Sequence, residues 1–599
     1  MLARKTILST VIVLSVLAGT VFGESLEENW NDFLHYTKIG RLDLAKGYAR
    51  AILKSSPEPL KLLEFSRANS AGYQLLLKVI ESTGDKELSE LGEALLSVIE
   101  DGRHIRRKDP AIIVEEIKRL STTKRGWLAG VKRLRNAGEY AIPFMLDAIA
   151  DPERSDELAN IVRALPEIGK DAIRPLVAAL QTDEFAVQSE IVKALGEIGY
   201  RQSLPYLKYA AENGDSQQLR DTAIASIRKI DPSAVNLSSA RLFYELSEDY
   251  YNHTESLEPA EKTTFGNIWF WDSVEHSLSR EEVSSEYFYE LMSMRCCEWS
   301  VKADASFGEA IGLWLAAFFK AELTDEPMPS YFGSGHADAM TYATTAGPVY
   351  LHQALSRALK DKDGYVALGV IEALAENAGE RSLLYHLTAS QPLIEALKCQ
   401  YKAIRYSAAI AIAKAGPKET FAESILVIEN LVDAMKQEEG LWQQTRERWG
   451  RSVSESYAVR AGRAMLKLAK TRNPVIDLSH ARQDLIAATS DTRHEIQILS
   501  AEILAYINDP DAQRAIASMA LSSDNPMEVR IYGFKSLAVS AKIHASLLDS
   551  ASLGAIYELV SSRTAAEKEE LRSAAAAAYG ALNLPSQKVK DLILDQSKS

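Results

Sequence analysis

Apolar residues recur along the chain at helical spacing, and one such pattern repeats at a nearly constant period. Three eight-residue segments of the same form begin at Val131, Val162 and Val192, and each ends in glycine. The large apolar residue of each segment has an equivalent in the next, at spacings of 31, 30 and 32 residues: Leu134, Leu165, Leu195 and Ile227. This period is the length of two short helices with two turns, so it predicts an all-α fold of the α-solenoid type.

The residues between the apolar positions predict where these helices begin and end. A glycine closes the first helix of each unit, and a proline follows five or six residues later near the start of the second. These residues are Gly138, Gly169 and Gly199, followed by Pro143, Pro175 and Pro205. The pairs Asp151-Pro152 and Asp231-Pro232 combine a capping carboxylate with proline at the first helical position, so each predicts a helix start.

Together these features resemble HEAT repeats, in particular the short form named after phycobilisome lyases, over roughly residues 126 to 232. Similar patterns return after the centre, for example at Leu374 and Ile412, which are 38 residues apart. The segments from Trp30 to Leu53 and from Cys297 to Phe319 resemble tetratricopeptide helices. The layout also resembles large HEAT-repeat proteins of planctomycete-type bacteria, a resemblance that implies an α–α superhelix but no known activity.

We expect the chain to be divided into a signal peptide and five helical regions, the third of them a tetratricopeptide-like helical insert rich in aromatic residues. We interpret an irregular stretch from Glu438 to Ser454 as a hinge between the C-terminal arrays. The predicted regions are a signal peptide at 1–23, a tetratricopeptide-like region at 24–102, a first HEAT array at 103–234, the insert at 235–350, a second array at 351–440 and C-terminal HEAT-like repeats at 455–599.

The N-terminus has the pattern of a secretory signal. Arg4 and Lys5 precede a short apolar run from Ile7 to Val21, and we take Glu24 as the mature start. The alternative is an uncleaved anchor, but this run is shorter than the roughly 20 residues that span a bilayer. We therefore predict a periplasmic or secreted protein. Removal of the two basic residues lowers the formal net charge from −14 to −16, which disfavours non-specific binding to polyanions. The exported location also argues against nucleic acid as a partner.

The cysteines are too few for an exported protein held together by disulfides. Cys296 and Cys297 are adjacent and could form a strained vicinal disulfide; the alternative is two small residues in a buried helix. Neighbouring side chains on a helix point in different directions, which favours the second interpretation.

No catalytic or cofactor-binding motif is found, so we assign no catalytic residue, cofactor or metal. The loop Gly333-Ser-Gly-His-Ala-Asp338 gathers a hydroxyl, an imidazole and a carboxylate. Consecutive residues cannot easily align a nucleophile with its base, and His336 with Asp338 supplies too few ligands for a closed metal site. We interpret this segment as a polar loop, and the long stretch from Ala321 to Tyr350 as irregular.

A basic stretch and a group of aromatic residues are the candidate binding features. From Arg103 to Arg135 there are 11 Lys or Arg residues against three acidic ones, a local charge of +8. The alternative is a solvated surface whose cations pair with acidic neighbours.

Residues 242–350 hold 20 of the 47 aromatic residues, including the run Ile268-Trp-Phe-Trp271, which either forms core or offers exposed rings. Two tryptophans two residues apart cannot share one face of a helix. The candidate residues are Arg103, Arg106, Arg107, Lys118, Arg119, Lys124, Arg125, Trp269, Phe270 and Trp271.

These observations predict an exported, non-catalytic scaffold that binds an unidentified protein of the cell envelope. The alternative is a protein that binds envelope polysaccharide or another anionic polymer through the basic stretch and the central aromatic residues. An enzyme is a third hypothesis, but no residue matches a catalytic pattern.

Overall fold

A computed structural model describes residues 25–82, 84–259, 264–324, 326–377, 379–437, 456–561 and 569–583, with single residues and pairs as far as 594. Helices form almost all of the regular structure in these ranges, and the predicted all-α solenoid is confirmed. The predicted signal peptide, the mature start at Glu24 and the irregular stretch Glu438–Ser454 lie outside the described residues.

The first compact unit contains the chain up to Ser203 together with Ser216–Ile230 and Phe270–Ser279. Neighbouring helices of this unit pack against one another: Leu26–Lys38 against Leu42–Lys54, Pro110–Arg119 against Lys124–Ala137, and Phe185–Ile198 against Gln217–Ile230. Its helices are α1 (Leu26–Lys38), α2 (Leu42–Lys54), α3 (Pro59–Ala68), α4 (Ser70–Ser82), α5 (Lys86–Arg107), α6 (Pro110–Arg119), α7 (Lys124–Ala137), α8 (Ile142–Ala150), α9 (Ser155–Ala164), α10 (Ile173–Ala179), α11 (Phe185–Ile198) and α13 (Gln217–Ile230), while α12 (Leu204–Asn213) belongs to the second unit.

The second compact unit contains Leu204–Asp215, Asp231–Trp269 and the chain from Arg280 onward. Besides α12, its helices are α14 (Ser239–Tyr251), α15 (Phe288–Ala303), α16 (Glu309–Leu323), α17 (Ala339–Ala346), α18 (Pro348–Asp361), α19 (Gly364–Asn377), α20 (Glu380–Leu383), α21 (Pro392–Ala396), α22 (Lys402–Ala415), α23 (Ser424–Met435), α24 (Tyr457–Thr471), α25 (Arg482–Ala488), α26 (His494–Leu504), α27 (Pro510–Leu521), α28 (Met527–His544), α29 (Ser550–Ser561) and α30 (Glu569–Ala581). One helix of each pair contacts its counterpart in the next pair, in the series α19, α22, α24, α26, α28 and α30.

The predicted turn residues adopt the backbone conformations that end and begin these helices. Gly138, Gly169 and Gly199 have φ of +62°, +82° and +79°, a region that glycine enters without a steric penalty. The Asp151 carboxylate accepts a hydrogen bond from the Glu153 N–H at the start of a short 3₁₀ helix, and Asp231 does the same for Ser233. The 3₁₀ segments are Gly138–Ala141, Pro152–Arg154, Leu165–Ala172, Arg201–Ser203, Pro232–Asn236, Glu255–Leu257, Ser330–Phe332 and Leu478–Ala481.

The repeated apolar positions form the core between the helices of the first unit. Each of the four equivalent residues is at most 1% exposed: Leu134, Leu165, Leu195 and Ile227. The contact between α11 and α13 is close, because a Cβ added to Gly196 would lie 2.6 Å from the Ser226 hydroxyl oxygen. The Ser226 hydroxyl in turn donates a hydrogen bond to the carbonyl of Val192.

The aromatic region, predicted to be a helical insert, also contains one β-hairpin. A two-stranded sheet is formed there by β1 (Phe265–Asp272) and β2 (Ser277–Ser284). The Asp272 carboxylate accepts hydrogen bonds from the N–H groups of Val274 and Glu275, which fixes the turn between the strands. β1 is rich in aromatic residues, which favour strands, and a run this short does not show a helical period.

The irregular stretch predicted from Ala321 to Tyr350 is shorter in the structure. Helix α16 continues to Leu323 and α17 begins at Ala339, so the non-helical part lies between them, apart from the 3₁₀ turn. The Asp338 carboxylate caps α17 by accepting a hydrogen bond from the Thr341 N–H at 2.8 Å. Gly347, with φ of +92°, then allows the turn into α18. Capping therefore makes a helix from a segment whose glycines and prolines suggest a loop.

A buried ionic network joins three helices of the second unit. Glu372 on α19 and Arg460 on α24 are 3% and 6% exposed, and both oxygens of the carboxylate accept from the guanidinium, at 2.6 and 2.7 Å. The Ser407 hydroxyl on α22 donates to the same carboxylate at 2.9 Å and also contacts the Tyr457 hydroxyl. The buried carboxylate and the buried guanidinium are therefore each paired with a group of opposite charge.

His352 is a second buried polar group, and it predicts a pH dependence. Its Nε2–H donates to the carbonyl of Ser382 at 2.7 Å, and burial lowers the pKa of the ring. Since the folded pKa lies below the unfolded value of about 6.5, stability is complete above that pH and falls as the pH decreases towards the folded pKa.

We expect His352→Gln to reduce the loss of stability between about pH 7.5 and about pH 5.5, by at most about 1.4 kcal/mol per pH unit. The measurement is the urea concentration at which α18 loses half of its hydrogen-exchange protection. His336→Gln, in an exposed loop, is the matched control. An unchanged pH dependence in His352→Gln would show that the protonation of His352 is not linked to unfolding.

Candidate interaction surfaces

The predicted basic stretch lies on three helices of the first unit. Arg103, Arg106 and Arg107 are in the last turns of α5, Lys118 and Arg119 end α6, and the remaining two begin α7 at Lys124 and Arg125. Cationic side chains in the last turn of a helix are favoured by the helix dipole. The helix dipole therefore explains why some of these cations lie at the ends of α5 and α6.

Many of these cations are paired with carboxylates. Glu116, only 4% exposed, is held between Arg119 at 3.1 Å and Arg133 from the next helix. Arg103 pairs with Glu100 at 2.6 Å and also covers the ring of Tyr73. Further pairs are Arg119 with Glu115 at 3.1 Å, Arg107 with Asp171 at 3.7 Å and Arg135 with Glu167 at 2.9 Å. The +8 counted along the stretch is therefore partly neutralised in three dimensions.

Four of the predicted residues keep their charge unpaired. Within the described ranges, no carboxylate lies within 4 Å of Arg106, Lys118, Lys124 or Arg125, and all four are exposed. Arg106 instead lies near Arg67, whose pKa is lowered by burial and by the two neighbouring guanidinium groups of Arg106 and Arg103. These four cations are what remains of the stretch for attracting an anionic ligand.

The three aromatic residues Trp269, Phe270 and Trp271 lie on β1, not on a helix. Alternate residues of a strand point to one face, so the two tryptophans share a face, contrary to the helical expectation. Trp269 is 5% exposed, and its carbonyl accepts a hydrogen bond from Arg295. Phe270 and Trp271 are half-buried. Trp269 is thus a core residue, whereas Phe270 and Trp271 are partly accessible.

The polar loop at 333–338 does not bring its functional groups together. Asp338 is used as the helix cap described above, and the His336 ring packs edge-on against Phe332 with 5.4 Å between centroids. Among the described residues, no group of three or more His, Cys, Asp or Glu side chains is arranged to hold a metal ion. No helix in the same part of the chain has both the length and the apolar character needed to span a bilayer.

The adjacent cysteines are free and buried in α15. Burial raises the pKa of the Cys296 thiol to about 12, and it raises the pKa of Cys297 as well. Cys297 contacts the Ser247 hydroxyl at 2.9 Å. The interpretation as two small residues in a buried helix is confirmed. Since a protonated, inaccessible thiol is a poor nucleophile, neither is a reactive site.

A surface that the sequence did not single out is formed by aromatic residues of the second unit. On one side, Tyr206 and Tyr209 of α12 meet Trp299 of α15, with ring centroids 6.1 and 5.3 Å apart. Trp299 stacks on the buried ring of Phe243 at 5.6 Å, and the ammonium group of Lys302 lies 4.2 Å from its ring centroid. Both tyrosines and Trp299 are half-buried.

Further aromatic residues lie on the next two helices, and one of them contacts α15. The Trp314 Nε1–H of α16 donates to the Glu298 carboxylate of α15 at 3.1 Å. The Trp314 ring also meets the Tyr342 ring of α17 at 5.1 Å, and Tyr342 is 41% exposed. Desolvation raises the pKa of Glu298, while the hydrogen bond from Trp314 opposes this shift. We call Tyr206, Tyr209, Trp299, Trp314 and Tyr342 the aromatic band.

Comparison with known proteins agrees with the repeat pattern. Residues 142–228 match the family model of HEAT repeats. These HEAT repeats include three of the four equivalent core positions: Leu165, Leu195 and Ile227. No curated protein matches the sequence.

Three solved structures match the chain at low sequence identity and with low TM-scores. An engineered protein is 15% identical, over 92% of this chain and 99% of its own, with a TM-score of 0.22. Importin beta is 13% identical, over 94% and 69%, with a TM-score of 0.28. The karyopherin Kap121p bound to Ste12p is 11% identical, over 95% and 55%, with a TM-score of 0.30.

The aromatic band was missed because it joins α12 to α15, α16 and α17, and Tyr209 lies 90 residues before Trp299 in the chain. One local signal was present on α15. Arg295, Glu298, Trp299 and Lys302 follow the spacing i, i+3, i+4 and i+7, which places polar and aromatic residues on one helix face. A tryptophan on the polar face of a helix outside the HEAT match is the feature that could have drawn attention to this surface.

Proposed function

We propose that the protein is an exported, non-catalytic scaffold that binds another protein of the cell envelope through the aromatic band. The HEAT-like solenoid supports this proposal, because stacked repeats offer extended surfaces and such surfaces commonly serve recognition. The secretory pattern before Glu24 supports the envelope location.

The aromatic band is the observation that carries the proposal. Tryptophan, tyrosine and arginine dominate the binding energy of protein interfaces, whereas scattered exposed apolar residues are ordinary. In the band, Trp299 is fixed by Phe243 and Lys302, and Trp314 is fixed by Glu298. Rings that are already held in place lose little side-chain entropy on binding. The band therefore has both the composition and the rigidity of an interface.

The test begins with capture of partners from the native envelope fraction, using the chain from Glu24 as bait. Three baits are compared: the wild type, the band variant Tyr209→Ser/Tyr342→Ser, and the control Tyr200→Ser, which removes a tyrosine that is 45% exposed in the first unit. A partner retained at a stoichiometric level is then purified, and its Kd is measured for each bait.

We expect the band variant to weaken the purified partner's binding by about 10- to 30-fold, because each lost hot-spot ring contributes more than about 1 kcal/mol. Tyr200→Ser should leave the Kd unchanged. Equal Kd values for the wild type and the band variant would refute the role of the band. Recovery of glycan alone, lost as salt increases, would refute the protein scaffold and favour polymer binding through Arg106, Lys118, Lys124 and Arg125.

A further inference from the structure

A cavity of about 280 Å³ lies in the second unit between two neighbouring interhelical turns. One wall is the turn from α18 to α19, with Leu359 and Lys362, and the other is the turn from α21 to α22, with Cys399 and Tyr401. We call this cavity the Cys399 pocket. It is separate from the residues of the aromatic band and from the basic stretch.

The interior of the Cys399 pocket is apolar. Ala358 and Ile404 are 1% and 2% exposed, and the half-buried Leu359 lies beside them. Gly364 leaves space next to these groups, since a Cβ there would lie 3.6 Å from the Tyr401 ring and 3.8 Å from Ile404. The Tyr401 ring itself is 45% exposed at the mouth. An apolar group that enters the pocket would lose its contact with water and gain contact with apolar side chains on several sides, which is favourable.

The two turns that form the pocket are held rigidly. The Arg405 guanidinium donates to the carbonyls of Cys399 at 2.9 Å and Gln400 at 3.2 Å, and the Asn430 amide donates to Leu397. On the opposite wall, the Asp363 N–H donates to the carbonyl of Ala358 at 2.9 Å. Such a pocket is already formed before a ligand arrives, so binding does not require ordering of the turns.

The charges at the rim do not favour a charged ligand. Two lysines, Lys362 and Lys398, are balanced by two carboxylates, Asp363 and Glu395. Lys398 also pairs with Glu423 at 2.6 Å, and Asp363 accepts from N–H groups at the start of α19. A rim of zero net charge offers no preference for an anion or a cation. An uncharged group with polar atoms nearby, such as a side chain on a peptide backbone, fits this rim.

We infer that the Cys399 pocket receives one apolar side chain, of leucine or phenylalanine size, from the partner protein. This inference rests on the proposed scaffold function. The volume of about 280 Å³ is sufficient for one apolar side chain, and it lies at the lower limit of the about 300–1,000 Å³ that is usual for small-molecule sites. A buried apolar anchor in a pocket is also the arrangement that typically dominates the energy of a protein interface.

The first experiment probes the pocket without a partner, using N-acetyl-phenylalanine amide, N-acetyl-leucine amide and N-acetyl-glycine amide. Cys399 is partly exposed, whereas Cys296 and Cys297 are buried, so its alkylation by iodoacetamide can be followed by peptide mass spectrometry. At about ten times its Kd, a bound probe should slow alkylation of Cys399 about tenfold. The glycine amide should not slow it. Equal rates with all three probes would overturn the inference.

The second experiment fills the pocket by Leu359→Trp. Saturation-transfer NMR should show loss of phenylalanine amide binding in this variant but not in Ile425→Trp, which adds the same ring at a site on α23 that is 41% exposed. Circular dichroism verifies that both variants are folded. Undiminished probe binding by Leu359→Trp would place the probe elsewhere and overturn the assignment.

The third experiment separates failure of the pocket from failure of the scaffold. With the purified partner, Leu359→Trp should raise the Kd about tenfold, while Ile425→Trp leaves it unchanged. If the probes bind but the partner's Kd is the same for both variants, the pocket does not serve the partner. If the probes bind but no partner is captured, the proposed scaffold function is refuted. The assignment of the pocket to a partner's side chain is then refuted as well, but the pocket is still a binding site for apolar groups.

Discussion

Arg460→Met is expected to destabilise the second unit by about 3–5 kcal/mol. The substitution removes both guanidinium contacts from Glu372, a residue that is 3% exposed. The Ser407 hydroxyl is then the remaining donor to this carboxylate in the network. An unpaired charge in a medium of low polarity costs much more than the pair itself contributes. The measurement is urea-dependent hydrogen exchange in α19, α22 and α24, the helices that the network joins.

Two comparisons isolate the cause of this effect. The double variant Glu372→Met/Arg460→Met removes both charges, so we expect it to regain most of the lost stability. Arg463→Met removes a cation from an exposed pair with Glu495, where both side chains are 54% exposed, and should cost about 1 kcal/mol or less. If Arg460→Met costs no more than Arg463→Met, the buried charge does not determine the stability of these helices.

The helical repeats could be predicted because their signals are local in sequence. A glycine with positive φ, a proline in the first turn and an apolar residue every 30 to 32 positions each act within a few residues, as Gly138, Pro143 and Leu134 illustrate. The hairpin could not be predicted in the same way. The eight residues of β1 are too few to distinguish a strand from a buried helix by period, and the Asp272 turn that decides between them carries no unusual composition.

The interaction surfaces depend on contacts between distant segments, which one sequence does not reveal. The positive charge of the basic stretch was visible, but part of its neutralisation comes from Asp171 and Glu167, which lie 64 and 32 residues from their arginine partners in the chain. The aromatic band joins Tyr209 to Trp299 across 90 residues. The Cys399 pocket likewise needs two turns to meet. Only the stripe on α15 was a local signal.

Leu195→Ala is expected to destabilise the HEAT array by about 2–5 kcal/mol. Leu195 is fully buried at the position equivalent to Leu165 and Ile227, so truncation removes apolar contacts and leaves a cavity. Loss of hydrogen-exchange protection in α11 and α13 is the measurement. Leu128→Ala, at a leucine of α7 that is 56% exposed, should change protection by about 0.5 kcal/mol or less. Leu195→Met conserves volume and should cost less than about 1.5 kcal/mol. Equal effects at Leu195 and Leu128 would contradict the view that the repeated apolar position is the structural basis of the array.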